Sequence, residues 1–304
     1  MKKEVSLAIG QFVPLIGEIA AIDLAKEIGL SCVDFDLIRY NCNSQNTVYA
    51  SKNEDEVFSY FEKIKKHADD VGVRIVQTHG RIMAYNYDEE HNKNELCGFA
   101  LDCVATKALG AKYCVVHAVH LGLDATADEQ KRYNSRMFSD YMPYARKNGI
   151  IVATETLGDM VTPEGREGVD FFGDLREFRR HYDEVTANSE NSPHFCTCID
   201  TGHTNKVSRF QGKEKVPEFI RQMKGTIGCL HLNDNNTLTD EHKVPGMGTL
   251  NWKEVLCALD DAGFDGVYNM ELNLEHFGRK LSLMKEYARF SVSVMKEMLE
   301  DHYQ

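Results

Sequence analysis

Four side chains able to hold a metal ion sit where packing alone would not put them. Each lies at or near the end of an apolar run: Glu155 in IIVATETLG, Asp200 in FCTCIDTGH, His231 in GCLHLND and Glu271 in VYNMEL. Burying a charge without a partner is costly, so a buried strand has no packing reason to finish in a carboxylate or an imidazole. The four endings point to convergence on one cation. Two glutamates, an aspartate and a histidine make a mostly oxygen-donor set. Such a set suits Mn²⁺ or Mg²⁺, with Co²⁺ also accommodated, better than a thiolate-bound structural zinc. Three carboxylates over-neutralise a divalent ion, which favours a neutral polyol over a phosphate ester. A bound ion of this kind polarises a sugar carbonyl and stabilises an enediolate as the α proton leaves. A carboxylate on each side of that carbon can remove the proton and return one to the other face or the neighbouring carbon.

The elements that must position these groups alternate along the whole chain. Strand-like runs are VSLAIGQF, CVDFDLI, RIVQTHG, YCVVHAV, IIVATETL, HFCTCIDTGH, GCLHLND and GVYNMEL, with amphipathic stretches between them. In EVFSYFEKIKKHADDVG, Val57, Phe58, Phe61, Ile64 and His67 share one stripe at helical spacing. Several helices are expected to stop at glycine, at Gly29, Gly72, Gly110 and Gly149, because glycine suits the left-handed residue that ends a helix. Eight strands and eight helices in strict alternation predict an α/β fold, a single (β/α)8 TIM barrel over residues 1–304. In such a barrel the C-terminal strand ends build the active site. Those ends carry Gln11, Asp36, His79, His117, Glu155, Asp200 with His203, His231 and Glu271. His79 and His117 are therefore expected to contact substrate. After the seventh strand, Pro245, Gly246 and Gly248 predict a stiff loop that carries His242 and Lys243 over the mouth. There they would serve as substrate hydrogen-bond donors or extra metal ligands. Trp252 is expected to cover helix–barrel contacts, and His91, His181 and His302 to be solvated. His120 suits pocket lining and surface equally. The aromatics of the 81–87 loop, RIMAYNY, suit either a sugar ring or the barrel edge.

Bulk properties exclude several classes. No stretch approaches the roughly 20 apolar residues of a membrane span, and the N-terminus lacks the apolar core of a signal peptide. Nine cysteines are scattered, with Cys114, Cys196, Cys198 and Cys229 inside apparent strands. Cys196-Thr-Cys198 is not zinc-ligand spacing, so buried reduced thiols of a cytoplasmic protein are expected. A formal charge of −12 argues against nucleic acid as a partner. No glycine-rich phosphate loop stands out, which disfavours sugar phosphates. The final helix, about 279–301, carries a stripe of Leu281, Met284, Tyr287, Ala288 and Val292. That stripe would cover the chain's own barrel or, equally, pair in a homo-oligomer or with an accessory subunit.

With these motifs the chain resembles the xylose isomerase-like barrel superfamily over essentially its whole length. The most specific parts are ETLG at Glu155, IDTGH at 199–203, and HLND followed by DEHKVPGMGTLNW within 231–252. That superfamily holds sugar isomerases and epimerases, inosose dehydratases and the endonuclease IV type of apurinic-site nuclease. The resemblance implies that Glu155, Asp200, His231 and Glu271 bind one manganese-like metal. It implies that Glu155 and Glu271 double as the acid/base pair and that His203 orients a substrate hydroxyl. The ketose 3-epimerase branch holds substrate with an arginine shortly after the metal-binding histidine; this chain offers His242 and Lys243 there, a departure that bears on the substrate. The favoured activity is a sugar isomerase or epimerase. The runner-up is a lyase that eliminates from an oxidised sugar, of the inosose dehydratase or 3-oxo-C-glycoside type. A three-zinc nuclease is the third reading, with His79, His117, Glu155, Asp200, His203, His231, Asp240, His242 and Glu271 as the nine ligands of that branch. Against it stand the acidic charge and the segment LIRYNCNSQNTVYA, whose single Arg39 offers little to a phosphate backbone.

Overall fold

The computed structural model describes residues 3–82 and 84–304. Lys2 of the N-terminal lysine pair and Met83 of the 81–87 loop lie outside them. Eight parallel strands form the barrel wall: β1 (Val5–Leu7), β2 (Cys32–Asp36), β3 (Arg74–His79), β4 (Tyr113–Val116), β5 (Ile151–Glu155), β6 (Phe195–Asp200), β7 (Ile227–His231) and β8 (Tyr268–Met270). Strands β2 to β7 pair in chain order, and β1 pairs with β8 in the register Ser6 to Asn269. Single bridges from Ala8 to Asp34 and from Leu232 to Met270 join the two sheets and close the ring. The architecture is the (β/α)8 barrel that strict alternation predicted.

The strands read as nearly continuous apolar runs because helices cover the outer face while side chains fill the inside. Successive residues point to opposite faces. On β6, Phe195 and Ile199 pack outward into the main core, and Cys196 and Cys198 pack inward with Val115, Ala153 and Cys229. Asp200, two residues beyond Cys198, therefore also faces the interior. The same count brings His79, Glu155 and His231 inward at the tops of their strands.

The helices obey their local signals. In Glu54–Val71, Asn53 caps the first turn by accepting from the amides of Asp55 and Glu56, and Val57, Phe61, Ile64 and Ala68 are buried. Phe58 and His67 flank this stripe instead of filling it; His67 pairs with Asp23 at 2.7 Å. Gly29, Gly72, Gly110 and Gly149 all end helices with positive φ, +90°, +73°, +72° and +70°. Two features depart from simple repetition. After β5 an antiparallel hairpin, Asp159–Val161 with Glu167–Val169, is tied through Asp159 to Lys206 and Arg209, and after β6 two short helices, Thr201–Val207 and Val216–Gln222, replace one. The last helix, Leu281–Tyr303, buries Met284, Ala288, Val292, Met295 and Leu299 against its own barrel. Among the described residues no helix is long and apolar enough to cross a membrane.

Candidate metal centre

Glu155, Asp200 and His231 are the last residues of β5, β6 and β7, and Glu271 follows β8 directly. One ligand atom from each lies within 4.8 Å of all the others. His231 Nδ1 stands 3.0 Å from Glu155 Oε1 and 3.3 Å from Glu271 Oε2. The IDTGH motif explains how Asp200 is held. Its carboxylate caps the helix that follows, accepting from the His203 amide at 2.7 Å, and also accepts from Asn233 Nδ2 at 2.8 Å. Gly202 is required for this approach, since a Cβ there would lie 1.9 Å from Asn233 Oδ1.

A second ring of side chains surrounds these four. His79 Nε2 is 3.3 Å and His117 Nε2 3.2 Å from Glu155 Oε2. His203 and His242 both reach Asp240, Nε2 to Oδ2, at 3.3 and 3.2 Å. His203 Nδ1 lies 2.9 Å from the Thr156 carbonyl oxygen and His242 Nδ1 3.0 Å from that of Glu271. His242 takes a left-handed φ of +46°, which curls its ring inward. The structure thus brings together every candidate site residue except Lys243. Its neighbour His242 turns into the mouth, whereas Lys243 forms a bridge with Asp234 and its ammonium pairs with Glu241 at 2.6 Å.

The loop carrying Asp240 and His242 hangs on Asp234 of the HLND motif. This buried carboxylate accepts from the amides of Asn235 (2.9 Å), Gly246 (3.0 Å) and Leu250 (3.2 Å) and from Trp252 Nε1 (2.9 Å). Trp252 is buried as expected, and its indole N–H also ties helix to loop.

Electrostatics follow from carboxylates facing imidazoles in a largely buried site. Burial opposes the charge on Glu155, yet His231 and His117 outweigh it and hold the carboxyl well below the usual range. Glu271 is also lowered, against burial, chiefly by His231. Asp200 moves the other way because burial outweighs His203 and His242. Burial would lower His79 and His242, but Glu155 pushes the first up to about 9, and Asp240 with Glu271 the second to about 9. His203 is driven up by Asp200 and Asp240, whereas His117 falls because burial prevails. Protons on His79, His203, His231 and His242 thus balance the carboxylates, and a cation bound among them would compete with those protons. Glu155 Oε2 is fully buried, with His79 and His117 Nε2 beside it at 3.3 and 3.2 Å. The donor set, its spacing and its burial fit a divalent ion. Two further groups share the ligands: His79, His117 and Glu155, and Asp200, His203 and His242.

Other candidates lie elsewhere. His181, expected in solvent, is buried among Phe138, Phe172 and Phe195. His91 contacts the Ala84 carbonyl oxygen and His302 pairs with Asp260, so neither is simply solvated. Gln11 ties the β8 end, donating to the Leu272 carbonyl at 3.1 Å and accepting from the Leu274 amide at 2.7 Å. Asp36 accepts from the Ile38 amide at 2.6 Å. His120 is half exposed, 3.9 Å from Asp170. In the 81–87 loop Tyr85 is buried on Asp140 and Arg81 on Asp102, while exposed Tyr87 packs edge-on to Tyr133. The nine cysteines are free thiols.

A closed parallel barrel with polar strand ends at its C-terminal mouth defines a class shared by many enzymes. The family model for the xylose isomerase-like TIM barrel matches residues 22–297, and the chain belongs to that family. A D-psicose 3-epimerase of Enterocloster bolteae is 22% identical over 253 residues, 80% of this chain and 74% of that one. An uncharacterized protein of Methanocaldococcus jannaschii is 34% identical over 93 residues, so the match spans only 30% of that relative. Among solved structures, a D-tagatose 3-epimerase-like protein superposes with a TM-score of 0.73 at 17% identity, covering 99% of this chain and 98% of the other. The IOLI protein, solved with a zinc atom bound, superposes with a TM-score of 0.68 at 17% identity, covering 98% and 97%.

Proposed function

We propose that this protein is a divalent-metal-dependent sugar isomerase or epimerase that moves a proton at a carbon next to a carbonyl. One observation carries the reading: Glu155 and Glu271 approach the same imidazole, His231 Nδ1, from β5 and β8, at 3.0 and 3.3 Å. Two carboxylates so placed flank any sugar chelated between them. A divalent ion held by Glu155, Asp200, His231 and Glu271 would supply charge stabilisation for an enediolate. One glutamate takes the proton and the other returns one. His203 and His242, tied through Asp240, stand where they can hold hydroxyl groups, and His79 and His117 stand beside Glu155. The names of the psicose and tagatose epimerase relatives support a ketose or related sugar as substrate, and the zinc atom of the IOLI structure supports a metal; the donor set suits Mn²⁺ or Mg²⁺, and the family resemblance favours a manganese-like ion. The same proton abstraction beside a leaving group would give elimination, so a lyase acting on an oxidised sugar is distinguished only by its product.

The assay is deuterium incorporation from D₂O into a panel of ketoses and 3-oxo sugars by the metal-loaded protein. Exchange at an α carbon with an isomeric product supports the proposal, a dehydrated product moves it to a lyase, and no exchange with any sugar sinks it.

A second reading has one specific observation in its favour. The groups His79–His117–Glu155 and Asp200–His203–His242 add two further metal-ligating sets to the first, which is what a three-zinc nuclease needs. Elemental analysis of the purified protein separates the two. About one ion per chain fits the sugar reading; about three zinc ions would make cleavage of abasic-site DNA the next assay.

A further inference from the structure

Below the metal-ligating layer the barrel interior divides into two halves. On β4 to β7 the inward residues are Val115, Ala153, Cys198 and Cys229, which pack together. On β8, β1, β2 and β3 the corresponding residues are Asn269, Ser6, Asp34 and Gln77, all buried and all polar. They form a chain of hydrogen bonds that ends on one atom. Ser6 Oγ donates to Asn269 Oδ1 at 2.6 Å, Asn269 Nδ2 donates to Asp34 Oδ2 at 3.1 Å, and Gln77 Nε2 donates to the same oxygen at 3.0 Å. That oxygen lies 3.4 Å from His231 Nε2, the ring nitrogen facing away from Glu155 and Glu271. His231 Nε2 has no hydrogen-bond partner besides this approach. The register of β2 against β3 shifts between Val33 and Asp34, a bulge of the kind that re-aims a side chain.

A carboxylate is an expensive way to hold two neutral amides. Among the described residues, His231 is the imidazole or cationic side chain that comes within 4 Å of Asp34. An aspartate at this depth is explained if its partner is that ring. We propose that Asp34 is a positioning residue for the metal centre. It accepts the Nε2–H of His231 and so fixes the tautomer whose Nδ1 lone pair points at Glu155, Asp200 and Glu271. Ser6, Asn269 and Gln77 act one step further out by holding the Asp34 carboxylate in a single orientation. A histidine that ligates a metal commonly donates its other N–H to a carboxylate, and losing that partner typically costs about 10–100-fold in metal affinity.

The inference rests on the metal-site reading above, and the test separates the two. Co²⁺ is titrated into the full-length, metal-free protein and followed by visible absorption with a competing chelator, alongside thermal melting of the metal-free forms. Asp34→Asn keeps an oxygen for Gln77 and Asn269 but removes its charge. It is expected to bind Co²⁺ about 10–100-fold more weakly, with a changed ligand-field spectrum. Ser6→Ala breaks the outermost link and should weaken Co²⁺ binding in the same direction as Asp34→Asn but by a smaller factor, with a lower melting temperature for the metal-free protein. Wild-type affinity and spectrum in Asp34→Asn would overturn the positioning role and leave the metal site standing. Failure of the wild type to take up Co²⁺ would remove the metal site and this inference with it. Because Asp34→Asn can lose its fold, wild-type protein loaded with Zn²⁺ and labelled with ¹⁵N-histidine gives an independent readout. A proton on His231 Nε2 agrees with the proposal, and one on Nδ1 overturns it.

Discussion

Glu155 carries more of this site than any other residue. It closes β5 and touches three imidazoles, His79 and His117 through one carboxylate oxygen and His231 through the other. Glu271 is its counterpart but stands at the end of the shortest class of strand, β8, and is partly open to the mouth. If the two exchange a proton through one sugar carbon, removing either base should stop turnover without unfolding the barrel. Glu155→Gln and Glu271→Gln are each expected to reduce α-carbon deuterium exchange by about 10²–10⁴-fold. Circular dichroism of the metal-free variants should match wild type. Loss in one variant and full exchange in the other would mean that a single base serves both faces, and the paired role would fall.

At the scale of elements, two parts of the barrel make separate predictions. The loop after β7 is suspended from Asp234, which accepts from four donors, two of them buried, and each buried donor left without a partner costs about 1–3 kcal/mol. Asp234→Ala should therefore destabilise the protein by about 3 kcal/mol or more in urea unfolding and release Asp240 and His242 from the mouth. A loss within experimental error would show that the loop is held by other contacts. Helix Leu175–Thr186 supplies the second case. Burial pushes the His181 imidazole down to about 3, while an unfolded chain titrates near 6.5. The unfolded state then binds more protons between those values, so the stability from this group is whole above pH 6.5 and is lost as pH falls toward 3. The slope is about 1.4 kcal/mol per pH unit for a single group. His181→Leu should flatten the stability difference between pH 6.5 and 5; an unchanged slope would assign acid sensitivity to other residues.

These elements also show what the sequence could and could not reveal. Polar residues that interrupt apolar strands are conspicuous, so the barrel, its mouth and the convergence there of eight of the nine candidate residues were legible. Lys243 was not, because its direction depends on the positive φ of His242 beside it, a property of the folded loop. His181 was misplaced by its polar neighbours, although Leu175, Phe178 and His181 recur at the spacing of one buried helix face. Asp34 gave no signal at all. In VDFD it reads as one more alternating strand residue, and its partners Gln77, His231 and Asn269 come from three other strands.

The whole molecule is a ring whose first and last strands close on each other, and the candidate metal centre draws one ligand each from β5, β6, β7 and the end of β8. An ion held there links the last four strands of the barrel, so its effect should reach global stability. In the metal-free protein that role falls to protonated imidazoles. His79 and His242, pushed up to about 9 against burial by Glu155 and by Asp240 and Glu271, contribute stability that is complete below pH 6.5 and lost as pH rises through about 9. A metal ion competes with those same protons, so its binding strengthens over the window in which the metal-free protein weakens. At a concentration of about 100 times its dissociation constant, an ion adds about 2.7 kcal/mol. Melting curves with and without Mn²⁺ should therefore diverge as pH is raised from 6.5 to 9, the metal-free curve falling and the loaded one holding. Calorimetry in buffers of different ionisation enthalpy should register proton release on binding. Parallel curves without proton release would place the ion away from these histidines, and with it the chemistry assigned to the mouth.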